Sequence, residues 1–285
     1  MKSNKVALSA NSYIQVLDTL SHPPKQLFYL GTLPSVRMPS VAIVGTRKPT
    51  TYGREVTFNL AYNLAKKGVV IVSGLAYGVD AIAHQAALEA GGTTIAVLAN
   101  GLDDIYPKSH KALAEKIIAA GGAIISEYPE GTGAHKHHFL ARNRIVSGLS
   151  DAVVVTEAAA RSGTLSTVNH ALDQNKEVFA VPGNITSLVS IGPNSLIEQG
   201  AHPVLSVDSI LTVIKPELIA TQMSLLLPED PLQATIVSSI DKGIRNGAQL
   251  LIESKATTSD YLIAMTSLEL SGVIQSLGAD QWSRC

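Results

Sequence analysis

Cysteine is all but missing. The 285 residues contain one, Cys285, which excludes an intrachain disulfide and fits a reducing compartment. A basic excess is also missing, since Lys plus Arg is 22 against 23 for Asp plus Glu. Histone-like coating of nucleic acid is therefore excluded, and any binding of a polyanion must come from a local patch. No 18 uncharged apolar residues run together, and the start, MKSNKVALSANSYIQVLDTL, lacks the apolar core of a signal peptide. A cytoplasmic protein without a membrane partner is expected. What is present, 46% hydrophobic and 16% charged residues, can bury one large core and leaves length for a second, small domain.

A further absence is local. From Gly131 to Ser150 there is no Asp or Glu, yet the stretch carries Lys136, Arg142, Arg144 and the histidines His135, His137 and His138. A cationic run in a chain of balanced charge predicts an anionic partner.

From residue 41 onward, short β-branched runs alternate with amphipathic ones: VAIVG at 41–45, VVIVSG at 69–74, TTIAVLA at 93–99, AIISE at 123–127, DAVVVTE at 151–157 and EVFAVPG at 177–183. The alternation predicts βαβ units and a parallel sheet buried on both faces. The pattern breaks near 216–231, in a proline-bearing stretch that reads as a linker. Beyond it LQATIVSSIDKG, AQLLIESK and TTSDYLIAMTSLELSG read as three short helices, and VIQSLGADQWSR as a hairpin or wing. Residues 1–40 form a lead-in of undefined structure. The expected domains are thus 1–40, 41–215, the linker 216–231, and 232–285.

In a doubly wound sheet, ligands sit at the carboxyl ends of the strands, where loops meet helix N-termini. VAIVGTRKPTTYG puts Gly45, Thr46 and Arg47 just past the first strand, and VSGLAYGVDAIAH puts Ser73, Gly74, Ala76 and Gly78 past the second. Neither is GxGxxG or GxxxxGK(S/T), so nicotinamide and ATP chemistry are unsupported and no cofactor is expected. Past the fifth strand, Ser162, Gly163 and Thr164 fall at a helix N-terminus, where N–H groups and hydroxyls can approach a phosphate. The same residues serve equally as a cap and a tight turn.

Arg142 and Arg144 have two readings, phosphate contact or ion pairing with Glu127 or Glu157. Two apart on one helix, they point in different directions, and we assign Arg142 to phosphate and Arg144 to structure. Phe139 reads as a core ring or as a base-stacking platform. HKHH at 135–138 has no accompanying Cys, Asp or Glu, so no metal site is expected, and His84 reads as a packing or hydrogen-bonding residue. No nucleophile has a paired base, which predicts a binding protein and not an enzyme.

Taken together and in order over about 41–201, VAIVGTR, VSGLAYGVDAIAHQAALEAGGTTIAVLANGLDDIYP, IISEYP, FLARNRIVSGLSDAVVVTEA, RSGTL, EVFAVPGN and GPNSLIEQGA resemble the DNA-processing protein A (Smf/DprA) family. The resemblance implies an extended Rossmann-like, doubly wound, mainly parallel sheet with a small C-terminal winged-helix-like domain. It also implies sequence-independent binding of single-stranded DNA, a homodimer, and transfer of the strand to the RecA recombinase during transformation or recombination. By position, Arg47 matches the arginine of the family's Gly-Ser-Arg element, with Thr46 keeping the hydroxyl beside Gly45. Phe139 with Arg142-Asn143-Arg144 matches Phe-Pro-x-Arg-Asn-Arg, with Leu140 in place of proline. Lys136 occupies a position where basic residues contact the strand, and Ser162-Gly163-Thr164-Leu165 matches the Ser-Gly-Ser-Leu loop. The N-terminal sterile-alpha-motif-like extension of some members is reduced here to residues 1–40.

A rival resemblance is to the "lonely guy" phosphoribohydrolases, whose Pro-Gly-Gly-x-Gly-Thr-x-x-Glu loop supplies a catalytic glutamate. Here the equivalent GTLST ends in Thr167, which removes the proton-transfer group. A nucleotide-sensing domain without a DNA role ranks between the two. In the C-terminal unit, Lys242, Arg245, Lys255 and Arg284 face Asp241, Glu253, Asp260, Glu269 and Asp280, a net of −1. Its third helix carries two acids and no base, which predicts protein contact or regulation and not DNA binding.

Overall fold

The computed structural model describes residues 3–216 and 230–284. The described residues fall into two compact units, the first ending at Pro216 and the second occupying the C-terminal residues from 230. Most of the linker expected at 216–231, and Cys285, lie outside the described residues.

The first unit is built on β1 (Asn4–Val6), β2 (Leu27–Gly31), β3 (Ser40–Val44), β4 (Val70–Ser73), β5 (Thr94–Val97), β6 (Ala123–Ser126), β7 (Ala152–Val155), β8 (Glu177–Ala180) and β9 (His202–Pro203). These form one nine-stranded sheet in the order β1-β2-β6-β5-β4-β3-β7-β8-β9. The pairs β1/β2 and β2/β6 are antiparallel and the others parallel. Each of the six β-branched runs is a strand, and β3 to β7 are buried at every position. Alternate side chains enter opposite faces, as the period of two requires: Ile95, Val97 and Ile125 join one apolar cluster, Ala96, Leu98 and Ile124 the other.

Between the strands run α1 (Thr51–Lys66), α2 (Val79–Glu89), α3 (Lys111–Ala119), α4 (Lys136–Gly148), α5 (Thr164–Asp173), α6 (Ile191–Glu198) and α7 (Val207–Ile214). Capping sets where α1 begins: Thr50 Oγ1 accepts from Gly53 N at 3.1 Å, and the helix then buries Thr57, Leu60, Ala61, Leu64 and Ala65 on one stripe.

The lead-in is a correction to the sequence reading. A domain boundary at 41 is overturned, because β1 and β2 extend the sheet past β6, and Tyr13, Ile14, Leu17 and Leu27 enter the main core. Tyr13 is fully buried; its hydroxyl lies 3.0 Å from Ser40 Oγ, and burial pushes its pKa up to about 12. Arg37 bonds Asp151 at 2.6 Å and the Leu149 carbonyl at 2.7 Å, pinning the lead-in to the start of β7. Gly31 permits the close β2/β6 approach, since a Cβ there would lie 2.2 Å from the Gly122 carbonyl oxygen.

The second unit packs helices Pro231–Asp241, Gly247–Ser254 and Thr258–Leu270 with an antiparallel hairpin, Ile274–Gly278 and Gln281–Arg284. Asp230, Asn246 and Thr257 cap the three helices through side-chain oxygens. Ile236, Leu250, Tyr261, Met265, Leu268 and Ile274 form its core.

Candidate nucleic-acid interface

The chain leaves β3 toward β4 on one side and returns to β7 on the other, so the sheet reverses between β3 and β7. A crevice must open there, at the carboxyl ends of the two strands. It holds a cavity of about 350 Å³ lined by Gly45, Thr46 and Arg47 after β3, Gly74, Ala76 and Asp80 after β4, Lys136, Phe139, Arg142 and Asn143 on α4, and Ser162, Gly163, Thr164 and Thr167 at α5. Nine of the ten residues picked from sequence therefore meet in one place; Arg144 does not.

The floor is closely fitted. Thr46 N donates to the Glu157 carbonyl at 2.7 Å, and Val79 N to the Thr46 carbonyl at 3.2 Å, tying the β3, β7 and β4 loops together. A Cβ on Gly45 would meet Val79 Cγ2 at 2.7 Å, so only glycine lets these loops converge. Glu157 is 2% exposed and does not pair with an arginine as the sequence allowed. Its carboxylate accepts from Thr50 N at 2.8 Å and Thr50 Oγ1 at 2.5 Å, at the positive end of α1.

The two arginines separate: Arg144 takes the structural position expected of it, and Arg142 departs from the open phosphate contact expected. Arg144 pairs with Glu127 through two bonds, Nη1 to Oε1 at 2.7 Å and Nη2 to Oε2 at 2.6 Å, and donates through Nε to the His22 carbonyl at 2.9 Å. Arg142, expected as the open phosphate ligand, is only 4% exposed. Its Nη1 donates to the carbonyls of Gly74, at 2.9 Å, and Val97. The guanidinium lies so near the β4 loop that a Cβ on Gly74 would sit 2.5 Å from Nη2. Burial lowers the Arg142 pKa to about 10 against the opposing pull of Asp80, and it stays a cation under the cavity. Asp80 accepts from Gly74 N at 3.0 Å and Ala76 N at 3.3 Å. Burial raises its pKa, and Arg142 and the two amides act the other way.

Above this floor, Arg47 and Lys136 are exposed, and the Arg47 guanidinium lies 5.8 Å over the half-buried Phe139 ring. The first turn of α5 offers fewer free amides than its sequence implied. Thr164 N donates to Ser162 Oγ at 3.2 Å, Leu165 N to the Ser162 carbonyl and Ser166 N to the Gly163 carbonyl, while Thr164 Oγ1 donates to the Gly45 carbonyl at 3.1 Å. Ser162 Oγ in turn donates to Thr164 Oγ1 at 3.0 Å, so both hydroxyl protons are engaged and the loop presents chiefly the positive end of a helix to the cavity.

Asp80 was not singled out in the sequence, and Asn143 entered only as part of the Arg142-Asn143-Arg144 match. Asp80 carried a signal, an acid in the first turn of a helix after a glycine loop. Among the described residues no group of three or more His, Cys, Asp or Glu could hold a metal ion. His135, His137 and His138 pack on one another, and His138 stacks on Tyr128 at 4.1 Å. His84 is fully buried, as a packing histidine should be, and Nδ1 bonds Thr94 Oγ1 at 2.7 Å.

A doubly wound sheet with a cationic crevice at its switch point defines a Rossmann-like α/β protein of the kind that seats its ligand outside the carboxyl ends of its strands. Within that class, the chain belongs to the family described as DNA recombination-mediator protein A, whose model matches residues 4–215. The DNA processing protein DprA of Bacillus subtilis is 41% identical over 208 residues, 73% of this chain and 70% of that one. The structure of DNA processing protein A from Streptococcus pneumoniae is similar, with a TM-score of 0.69 and 38% identity over 75% of each chain. That of DNA processing protein A from Helicobacter pylori, solved for insight into its single-stranded DNA binding mode, has a TM-score of 0.64 and 37% identity over 71% of this chain and 93% of that one. Among the described residues, no helix is long and apolar enough to cross a membrane.

Proposed function

We propose that the first unit binds single-stranded DNA without base specificity, with phosphates over the β3/β7 crevice, and delivers the strand to the RecA recombinase. The observation that carries the reading is the charge arrangement of the cavity. Arg47 and Lys136 stand open at its mouth while the buried Arg142 cation lies beneath. Cations at fixed positions attract a phosphate backbone and carry no base information. Gly45, Thr46, Ser162, Gly163 and Thr164 shape the floor, and Phe139 offers a ring to a base. Family membership supports the RecA partner, a homodimer and a cytoplasmic role in DNA uptake or recombination. We assign the second unit, whose three helices and hairpin follow winged-helix order, to protein contact, because its third helix lacks bases.

Binding without catalysis is the reading we favour over nucleotide hydrolysis. Thr167 lines the cavity where a phosphoribohydrolase glutamate would stand, and Asp80, the carboxylate lining it, is held by two backbone amides. Anisotropy titrations with a labelled 30-mer single strand, the matching duplex and free nucleotides test the proposal. Single strands of any sequence should bind more tightly than duplex at moderate salt. Equal affinity for both, or turnover of a nucleoside monophosphate, would overturn it.

A further inference from the structure

Aromatic residues make up 5% of the chain, yet three of them gather half-open beside the crevice, and the function proposed above leaves two without a role. Tyr77 follows β4, Tyr106 lies between β5 and α3, and Phe139 is in the first turn of α4. Tyr77 is 48% and Tyr106 43% exposed. With Pro107 and Arg47 they surround a recess of only about 20 Å³ that shares Arg47, Gly74, Ala76 and Phe139 with the main cavity, so a flat ligand can lie over these rings but not enter between them.

The rings are held in place. Tyr106 packs against Phe139 with centroids 5.6 Å apart and planes tilted by 56°. The Tyr77 hydroxyl accepts from Ser109 Oγ at 3.0 Å, and its ring meets His110 edge-on at 4.9 Å. A base sandwiched between two rings needs about 7–8 Å, twice an optimal carbon contact. Tyr106 and Phe139 are too close and too steeply tilted for that, so a base can lie only against the exposed face of a single ring, and Tyr106 is the more open of the two. Large rings ordinarily go to the interior; rings fixed at the surface in open positions suit a flat apolar ligand with polar edges.

We infer that the exposed faces of Tyr77 and Tyr106, beside Pro107, form a nucleobase-stacking surface around this recess that extends the strand's path beyond the phosphate cavity. The inference rests on the single-strand reading above and adds a direction to it. The loops carrying Ser162–Thr164, Arg47, Tyr77 and Tyr106 follow the adjacent strands β7, β3, β4 and β5. At about 4.8 Å per strand they span roughly 14 Å across the sheet edge. Stacking of this kind accepts any base, because every base has a π-face.

The test measures binding of an oligo-dT strand and of an abasic strand of equal length, with the wild type, Tyr77→Leu, Tyr106→Leu and Tyr106→Phe. The wild type should prefer the strand with bases. In the two leucine variants that preference should fall by roughly 5- to 150-fold per lost stacked base, with salt slopes unchanged, and Tyr106→Phe should retain it. An unchanged preference in both leucine variants, or equal losses on the two strands, overturns the inference. Equal binding of both strands by the wild type overturns the stacking surface alone and leaves the phosphate site standing. Failure of the wild type to bind either strand overturns the single-strand reading itself.

Discussion

Replacing Arg142 with alanine removes a guanidinium that bonds the Gly74 and Val97 carbonyls and provides the cation that opposes burial of Asp80. Arg142 and Asp80 are not bonded to one another, so the cost is that of leaving two buried carbonyls without a donor, about 1–3 kcal/mol each, with the lost Coulombic pull on Asp80 added to it. Here the cavity lies alongside, water reaches the vacated space, and the lower end, about 2 kcal/mol for the two carbonyls, is expected. The cost should depend on pH. Burial raises the Asp80 pKa above its ordinary 3.8, and Arg142 counters that rise. Without Arg142 the folded-state value climbs further. A raised carboxyl contributes stability below its unfolded pKa and loses it as pH rises through the folded value. The variant should therefore be destabilised more at pH 8 than at pH 5.

Urea unfolding followed by far-ultraviolet circular dichroism at the two pH values measures the effect. Trp282, the single tryptophan, lies in the second unit, so its fluorescence supplies a reference transition. In the Asp80→Asn background, where the amide oxygen can still accept from Gly74 and Ala76, the cost of Arg142→Ala should shrink by about 1–3 kcal/mol. A variant as stable as wild type at pH 8, whose DNA affinity falls less steeply with salt by about 0.7 in log–log slope, would refute the argument. Arg142 would then be a direct phosphate ligand.

Arg47→Ala should leave the urea midpoint unchanged and reduce the salt slope of single-strand binding by about 0.7; an unaltered slope with weakened binding would assign Arg47 to stacking on Phe139. Arg144→Ala strands Glu127 in a partly buried site, with side chains 15% and 16% exposed. It should cost roughly 1–3 kcal/mol of stability, between the exposed and buried limits, with no change in salt slope; undiminished stability would show the pair to be incidental. Burial lowers the His84 pKa to about 3. Because this folded-state value lies below the ordinary 6.5, the stability His84 contributes is present above pH 6.5 and is lost toward pH 3, by up to about 1.4 kcal/mol per pH unit. His84→Gln should flatten that dependence between pH 7 and 5, and parallel profiles for the two proteins would contradict it.

Six of the seven parallel strands, β3 to β8, and most of their helices are legible in the sequence, because strand and helix periods are local and a strand buried on both faces must be continuously apolar. The cluster of Gly45, Thr46, Arg47, Lys136 and Ser162–Thr164 is legible for a related reason. In a doubly wound sheet every loop after a strand lies on the same edge. The strands at 4–6 and 27–31 are not. They are short antiparallel additions whose partners, each other and β6, are set by pairing and leave no local period. The fates of the two arginines were tertiary as well. Helical spacing says that Arg142 and Arg144 diverge, but only the seating of α4 on the sheet puts Arg142 under Gly74 and Val97, with Arg144 facing Glu127. Glu157 found Thr50 and the positive end of α1 instead of an arginine, across 107 residues of chain. Tyr77, Tyr106 and Phe139 likewise meet only through the order of β4, β5 and the helix after β6. Period and turn chemistry act over a few residues, whereas which charges are buried together depends on packing between segments far apart in the chain.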